Sequence, residues 1–406
     1  MFHGMRRSRE PGQPGLLFNF RVASLLKYRP RLPIFLLYLG FLSTGAMTVL
    51  LGAVLPRIAA EFHLTDSQSG TLLLTLFAGS SSGALFVRRR FPRTLAIGYL
   101  LIPVAGAMLV AAPRQMGIAA IAIYGVGLGM AMTSTSLLVG RMYPERRGAA
   151  LSFLNFCWSI GSTLCPLALA KIHGHVTAAG LGIAVALISG PFAVLPLLER
   201  FEAPPQVRGR MRVLDTAIST VVIFAIAGFL YVGIETDVGN WMTTFGLRAV
   251  DWSFTSSSLA TACFWGALLA GRGVAPVLLN HMTDARLFRL SVFSLVAGVV
   301  MLVWAHSPWL LLAGAVWTGF SLGPIYPLVL ALFMERAGES KHTGWVFTVS
   351  GFGGAILPWI TGIVSSSAHS LRLGLMVPAA GAVLLVVLTL GFGLSSVPES
   401  TQVVAE

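Results

Sequence analysis

Gly228-Phe229-Leu230-Tyr231-Val232-Gly233-Ile234-Glu235-Thr236 repeats the frame of Gly40-Phe41-Leu42-Ser43-Thr44-Gly45-Ala46-Met47-Thr48, 188 positions earlier. The shared pattern is Gly-Phe-Leu-x-x-Gly-x-x-Thr, and it is not isolated. Phe77-x-Gly79 returns as Phe264-x-Gly266, and Gly125-x-x-Leu128-Gly129 returns as Gly319-x-x-Leu322-Gly323. Gly161 with Pro166 returns as Gly353 with Pro358. Taken singly, each glycine reads as a site of close helix packing. Four pairs in the same order, at nearly one offset, describe a duplicated chain.

Between and around these repeats, charge is confined to short intervals. Stretches without Asp, Glu, Lys or Arg run over Leu32–Pro56, Ser67–Val87, Thr94–Pro113, Gln115–Gly140, Gly148–Ala170 and Ile172–Leu198. After a basic interval they resume over Thr216–Ile234, Trp252–Gly271, Leu290–Met334, His342–Leu371 and Leu373–Pro398. Each is near the ~20 residues that carry a helix across a bilayer. Leu290–Met334 is twice that and breaks at His306-Ser307-Pro308, which makes two spans. A membrane barrel needs ~10-residue alternating segments, and these stretches are apolar on all sides. The expected architecture is therefore an all-α polytopic membrane protein, twelve transmembrane helices in two pseudo-symmetric six-helix bundles. Residues 32–198 form the first bundle and 213–398 the second. Residues 199–212 read as a cytoplasmic linker, and 1–31 and 399–406 as cytoplasmic tails.

Composition agrees. Only 11% of the residues are charged and 55% are hydrophobic, with mean hydropathy +0.80. Soluble domains carry about 25% charged residues. With the N-terminus inside, 23 of the 28 Lys and Arg fall on inside segments, and five (Arg57, Arg114, Lys171, Arg248 and Arg372) fall outside. This bias places both ends in the cytoplasm and points to a multi-pass protein of a bacterial inner membrane. It also accounts for the net charge of +13 as a belt facing anionic lipid, with no nucleic-acid partner. Arg272 is counted here among the inside loop cations. The basic tail reads as uncleaved, because no small-residue cleavage site follows the first span. Cys157, Cys165 and Cys263 all fall within spans, so no disulfide framework is expected.

Four segments resemble the major facilitator superfamily, and within it the fucose/galactose/glucose:proton symporter family. They are Leu64-Thr65-Asp66-Ser67-Gln68-Ser69-Gly70, Leu154-Asn155-Phe156-Cys157-Trp158-Ser159-Ile160-Gly161, Tyr231-Val232-Gly233-Ile234-Glu235 with Trp241, and Gly323-Pro324-Ile325-Tyr326-Pro327. The resemblance implies a solute site between the halves near mid-membrane. Two departures stand out. The superfamily's acidic loop between spans 2 and 3 is here Arg88-Arg89-Arg90-Phe91-Pro92-Arg93. The acids that fucose-type members carry in spans 1 and 4 are missing, and span 4 offers Thr133, Ser134, Thr135 and Ser136 instead.

Within the spans, Glu235 and Asp237 are the exceptional acids, and a carboxylate at membrane depth marks a pathway or proton site. Both are candidates for proton coupling. Tyr231 and Glu235 stand four apart on one helix face, whereas Asp237 points elsewhere and is expected nearer the outer water. Asn155 and Trp158, three apart, combine amide donors and acceptor with a flat apolar plate, the two features that grip a sugar's hydroxyls and its C–H face. Thr133, Ser136, Tyr231, Trp265, Trp317, Tyr326 and Trp345 are further candidates for solute contact. Trp241 and Trp252 are expected in an interfacial belt. Gly79-Ser80-Ser81-Ser82-Gly83 has the spacing of a hydrolase elbow but lies mid-helix, without the strand–turn–helix that chemistry requires.

No P-loop, zinc spacing or dinucleotide fingerprint occurs, so no catalytic site, metal or cofactor is expected and a gradient supplies the drive. The leading expectation is a monomeric secondary transporter for a sugar or similar polyhydroxylated solute, proton-coupled or uniporting. Efflux of amphiphilic compounds is the alternative, and a receptor or scaffold lacks any soluble domain to act through. Topology is directly testable. Reporters fused within Glu199–Arg212 or after Pro398 are expected to report cytoplasm, and one between Arg248 and Asp251 the outside. An outside-facing central linker overturns the six-plus-six reading.

Overall fold

The computed structural model describes residues 32–87, 91–143, 147–172, 176–198, 218–337 and 343–391. The linker and tails expected at 199–212, 1–31 and 399–406, and Arg88-Arg89-Arg90, lie outside them. The first half contains α1 (Leu32–Phe62), α2 (Asp66–Leu85), α3 (Phe91–Ala111), α4 (Pro113–Met142), α5 (Arg147–Lys171) and α6 (Ala178–Leu198). The second contains α7 (Ile218–Ala249), α8 (Phe254–Leu278), α9 (Asp284–Val303), α10 (Pro308–Ala337) and α11 (Thr343–Ala368). Its last span begins as α12 (Leu371–Gly374) and continues as α13 (Met376–Gly391). Ten of these twelve spans are long and apolar enough to cross a membrane on those grounds alone. The other two are α6, apolar over Ala178–Ala193, and α2, whose apolar run is interrupted by Ser80-Ser81-Ser82.

The repeat is visible in the packing. In the first half α1 packs on α5, α2 on α4, and α3 on both α4 and α6. In the second, α7 packs on α11, α8 on α10, and α9 on both α10 and α13. Counting α12 and α13 together as the twelfth span, adding six to each span number converts one set into the other. Turns repeat as well. His63 and Asp251, 188 apart, both take left-handed φ angles of 53° and 52°, which ends α1 and α7 at equivalent points. The next helices are capped at equivalent residues. Thr65 accepts from the Gln68 N–H at 3.2 Å while Gln68 reaches back to the Thr65 N–H at 2.9 Å, a capping box. Ser253 accepts from the Ser256 N–H at 3.1 Å.

Two of the repeated glycines explain the closest approaches. A β-carbon on Gly161 would run into the Leu42 carbonyl of α1, and one on Gly353 into the Phe229 carbonyl of α7. Leu42 and Phe229 are themselves repeat-related neighbours. Pro358 adds a second link between α11 and α7. Without an N–H it leaves the Gly354 carbonyl short of its helical donor, and the Thr236 hydroxyl of α7 donates to that carbonyl at 3.3 Å. The Trp241 indole donates to the Pro358 carbonyl at 3.0 Å, so Trp241 is fully buried and not interfacial as its position suggested.

The halves meet along α1–α7, α2–α11 and α5–α8. At the end where α1 turns into α2 they are clamped. Arg248 Nη1 lies 2.5 Å from Asp66 Oδ1, Ser365 donates to Asp66 Oδ2 at 2.6 Å, and the Ser67 N–H donates to Ser366 at 2.7 Å. At the opposite end of α2 and α11, Leu85, Phe86 and Trp345 are exposed. Gly161→Val and Gly353→Val are each expected to destabilise the purified protein by about 1–3 kcal/mol through overpacking, read as a lower melting temperature in detergent. Gly117→Ala, with nothing within 4 Å of a new β-carbon, is the control. Equal melting temperatures across the set would mean the backbones do not approach as described.

Candidate functional site

Helix α8 does not stop at its charge. Arg272 sits inside the helix, six residues before its end at Leu278, and its guanidinium turns inward between two other helices. Nη2 donates to Glu235 Oε1 of α7 at 3.0 Å and to the Tyr231 hydroxyl at 3.3 Å. Nη1 donates to the Ser159 hydroxyl of α5 at 2.9 Å. The guanidinium carbon also lies 5.8 Å from the Trp158 ring centre, within reach of a cation–π attraction. One cation thus joins α8 and α7 of the second half to α5 of the first. Glu235 is the eighteenth of the 32 residues of α7, so the cluster sits midway along that helix.

Local geometry follows from helix spacing. Tyr231 and Glu235 share a face of α7, as their four-residue interval requires, and Tyr231 stacks on Tyr326 of α10 with ring centres 5.2 Å apart. Trp158 and Ser159 are adjacent on α5, so both reach the α8 contact. Trp158 meets Trp265 edge to face at 5.7 Å. The indole N–H groups of both tryptophans are buried without an acceptor. Asn155 is exposed and donates to its own helix, to the Leu151 carbonyl at 2.9 Å. Its carbonyl accepts from Ser159 at 3.0 Å. The chemical inventory is a paired cation and carboxylate, two hydroxyls, two indole plates with free donors and a stacked phenol pair.

Of the sequence candidates, the structure gathers Glu235, Tyr231, Trp158, Trp265 and Tyr326, with Asn155 one turn along α5. It does not draw in the rest. Thr133 and Ser136 are half-buried on α4, Ser136 donating to the Met132 carbonyl at 2.9 Å. Trp317 is 51% exposed, its indole bonded to the Ser294 carbonyl at 3.1 Å, and Trp345 is 65% exposed. Asp237 differs from expectation: it is 0% exposed, because α11 and α12 cover the flank of α7 on which it lies. Arg272 and Ser159 were not among the candidates. A signal for Arg272 existed, since the seven residues after it, Gly273 to Leu279, carry no charge. A lone arginine flanked by apolar turns on both sides belongs within a span.

Known proteins carry the same fold and pattern. The model of the Major Facilitator Superfamily matches residues 36–358. The chain is 21% identical over 376 residues to a glucose/galactose transporter of Brucella abortus, covering 84% of this chain and 89% of that one. It is 22% identical over 357 residues to a protein TsgA homolog of Yersinia pestis, covering 82% and 88%. Among solved structures, the E. coli fucose:proton symporter superposes with TM-score 0.61 at 17% identity, over 90% of this chain and 98% of that one. A D-xylose-proton symporter superposes with TM-score 0.68 at 16% identity, over 87% and 96%. With twelve spans, a duplicated six-helix plan and a family match over most of its length, the chain is a multi-pass membrane transporter and belongs to the Major Facilitator Superfamily.

Proposed function

We propose that this transporter carries a sugar or similar polyhydroxylated solute by alternating access, coupled to protons, in a bacterial inner membrane with both termini cytoplasmic. The observation that carries the reading is the Arg272 cluster, which spans both halves at mid-helix depth. Its donors and acceptors are engaged with one another across the interface between the halves. A solute rich in hydroxyls takes over the bonds of the ion pair, accepting from Arg272 and donating to Glu235 and Ser159, and supplies the acceptors that the two buried indoles lack. The Trp158 and Trp265 rings supply the flat surface for its C–H face. The names of the glucose/galactose, fucose and xylose carriers above agree with this chemistry.

In this reading Glu235 belongs to the solute site, held in place by Arg272, and Asn155 lies at its edge. Thr133 and Ser136 on α4, and Trp317 and Trp345, stand outside the cluster and are not assigned to it. The clamp of Asp66, Arg248 and Ser365 closes one end of the α2–α11 seam, the arrangement of a carrier shut on one side.

A thermal-shift panel of D-glucose, D-galactose, L-fucose and D-xylose on the purified protein tests the solute class. At least one sugar is expected to raise the melting temperature in a saturable, stereoselective way, and a flat response to all four overturns the proposal. For the responding sugar, Trp158→Ala and Arg272→Gln are each expected to weaken binding by about 1–3 kcal/mol, the range for leaving buried polar partners unpaired. Binding unchanged in both variants would place the solute elsewhere. Glu235→Gln keeps the shape and one acceptor, and binding and counterflow exchange are expected to fall together. Loss of gradient-driven accumulation with binding intact would instead make Glu235 the coupling acid.

A further inference from the structure

Asp237 is two residues past Glu235 and faces into its own bundle, sealed between α7, α11 and α12. Its Oδ2 lies 2.7 Å from the Thr361 hydroxyl, and that hydroxyl lies 3.3 Å from the Gly374 carbonyl. Its Oδ1 is buried and has no hydrogen-bond partner.

Among the described side chains, the charged groups on the elements packed against α7 are engaged elsewhere. Arg272 pairs with Glu235 and Tyr231, on the side that also holds Tyr326. Arg248 pairs with Asp66. Arg372 donates to the carbonyls of Val303, Ala249 and Ala305. On α1, Arg57 lies over Phe254 and Glu61 accepts from the Ala178 N–H. Arg336 of α10 lies over Phe224. Helix α11 has no Asp, Glu, Lys, Arg or His anywhere in Thr343–Ala368. Among the described residues, an ionised carboxylate would therefore stand here with one hydrogen bond and no counter-charge, which is costly at membrane depth.

Thr361 has one hydrogen and two oxygen neighbours that accept it. With Asp237 ionised that hydrogen serves only one of them in full; with Asp237 protonated, Oδ2–H donates to Thr361, Thr361 donates to Gly374, and both contacts are satisfied. We propose that Asp237 is the proton-binding site of the carrier, protonated in this conformation and separate from the Arg272–Glu235 solute site.

A route to it is also present. A cleft of about 620 Å³ at the clamped end is lined by Asp66, Arg248, Ser365, His369 and Arg372, among others. Ser365 stands one turn beyond Thr361 on α11. A β-carbon on Gly374 would lie 2.9 Å from the Thr361 carbonyl and 3.1 Å from Ser365 Cβ, so both residues pack on the same glycine. Ser365 is now committed to Asp66. When α2 draws away from α7 and α11, Asp66 leaves Ser365 and water enters from the cleft toward Thr361. The proton then passes from Asp237 to that water, leaving the carboxylate behind, and returns by the same way.

This inference rests on the proton-coupled carrier reading, and its test uses no solute, so failure of the sugar panel leaves it decidable. Infrared spectra of the purified, solute-free protein at neutral pH are expected to show the carbonyl stretch of a protonated carboxylic acid. Asp237→Asn is expected to remove that band and Glu235→Gln to leave it. Thr361→Val keeps the acid and removes its acceptor, and is expected to move the band to higher frequency; this reads Asp237 even if Asp237→Asn folds poorly. No such band in the unaltered protein, its survival in Asp237→Asn, or an unmoved band in Thr361→Val overturns the proposal.

Discussion

Arg272 is a guanidinium inside a membrane-spanning helix, and much of the interface is arranged around keeping it paired. Desolvating such a cation costs several kcal/mol, recovered only when its donors all find acceptors. Here two helices contribute: α7 gives Glu235 and Tyr231, and α5 gives Ser159 and the face of Trp158. Removing one member of a buried pair typically costs about 3–5 kcal/mol, because the other charge is left without a partner. The cluster therefore resists separation of α5 from α8 unless something replaces its bonds. That is a useful property in a carrier, since an empty site held shut by its own groups moves only with difficulty, and a solute that takes over those groups releases it.

The second constraint is the duplicated backbone. Gly161 and Gly353 let α1–α5 and α7–α11 approach to backbone contact, which makes each half a stiff unit. The seams between the halves add polar links to such approaches. Gly52 lets α1 close on Asn240 of α7, and Gly70 and Gly362 let α2 close on α11, while an ion pair, serine hydroxyls and Arg272 hold the same seams by bonds that a solute or water can replace. Motion of the whole is therefore expected at the seams and not within the bundles, as in transporters built from two repeats around a central site.

How much of this the sequence disclosed depends on how charge was read. The break at His306-Ser307-Pro308 was located correctly, as α9 ends at Val303 and α10 begins at Pro308. The repeats were real, down to His63 and Asp251 at matching turns. Treating a charge as the end of a span failed at Arg272, because it pairs with Glu235 of α7 and α8 continues past it to Leu278. Pairing between residues 37 apart leaves no local trace, although a lone arginine within a long uncharged stretch does. Trp241 and Asp237 were placed too near the water because distance along the chain says nothing of which neighbour covers a flank. Trp158 and Tyr231 were legible because helix spacing alone puts them beside a polar group on the same face.

Glu235 and Asp237 separate two functions on one helix. Two residues of α-helix rotate a side chain by about 200°, so acids this close in sequence cannot share a partner. Glu235 faces the seam between the halves and meets a cation reaching across it. Asp237 faces the interior of its own half and meets Thr361 on α11, whose outer end carries Ser365 and the clamp to Asp66. A change at the solute cluster bears on α7 from one side, and opening of the clamp bears on it through α11 from the other. Because α7 spans both contacts within a single turn, neither acid's surroundings can be rearranged without loading the helix that holds the other. Coupling between solute and proton then needs no direct contact between the two sites, only a rigid α7 between them.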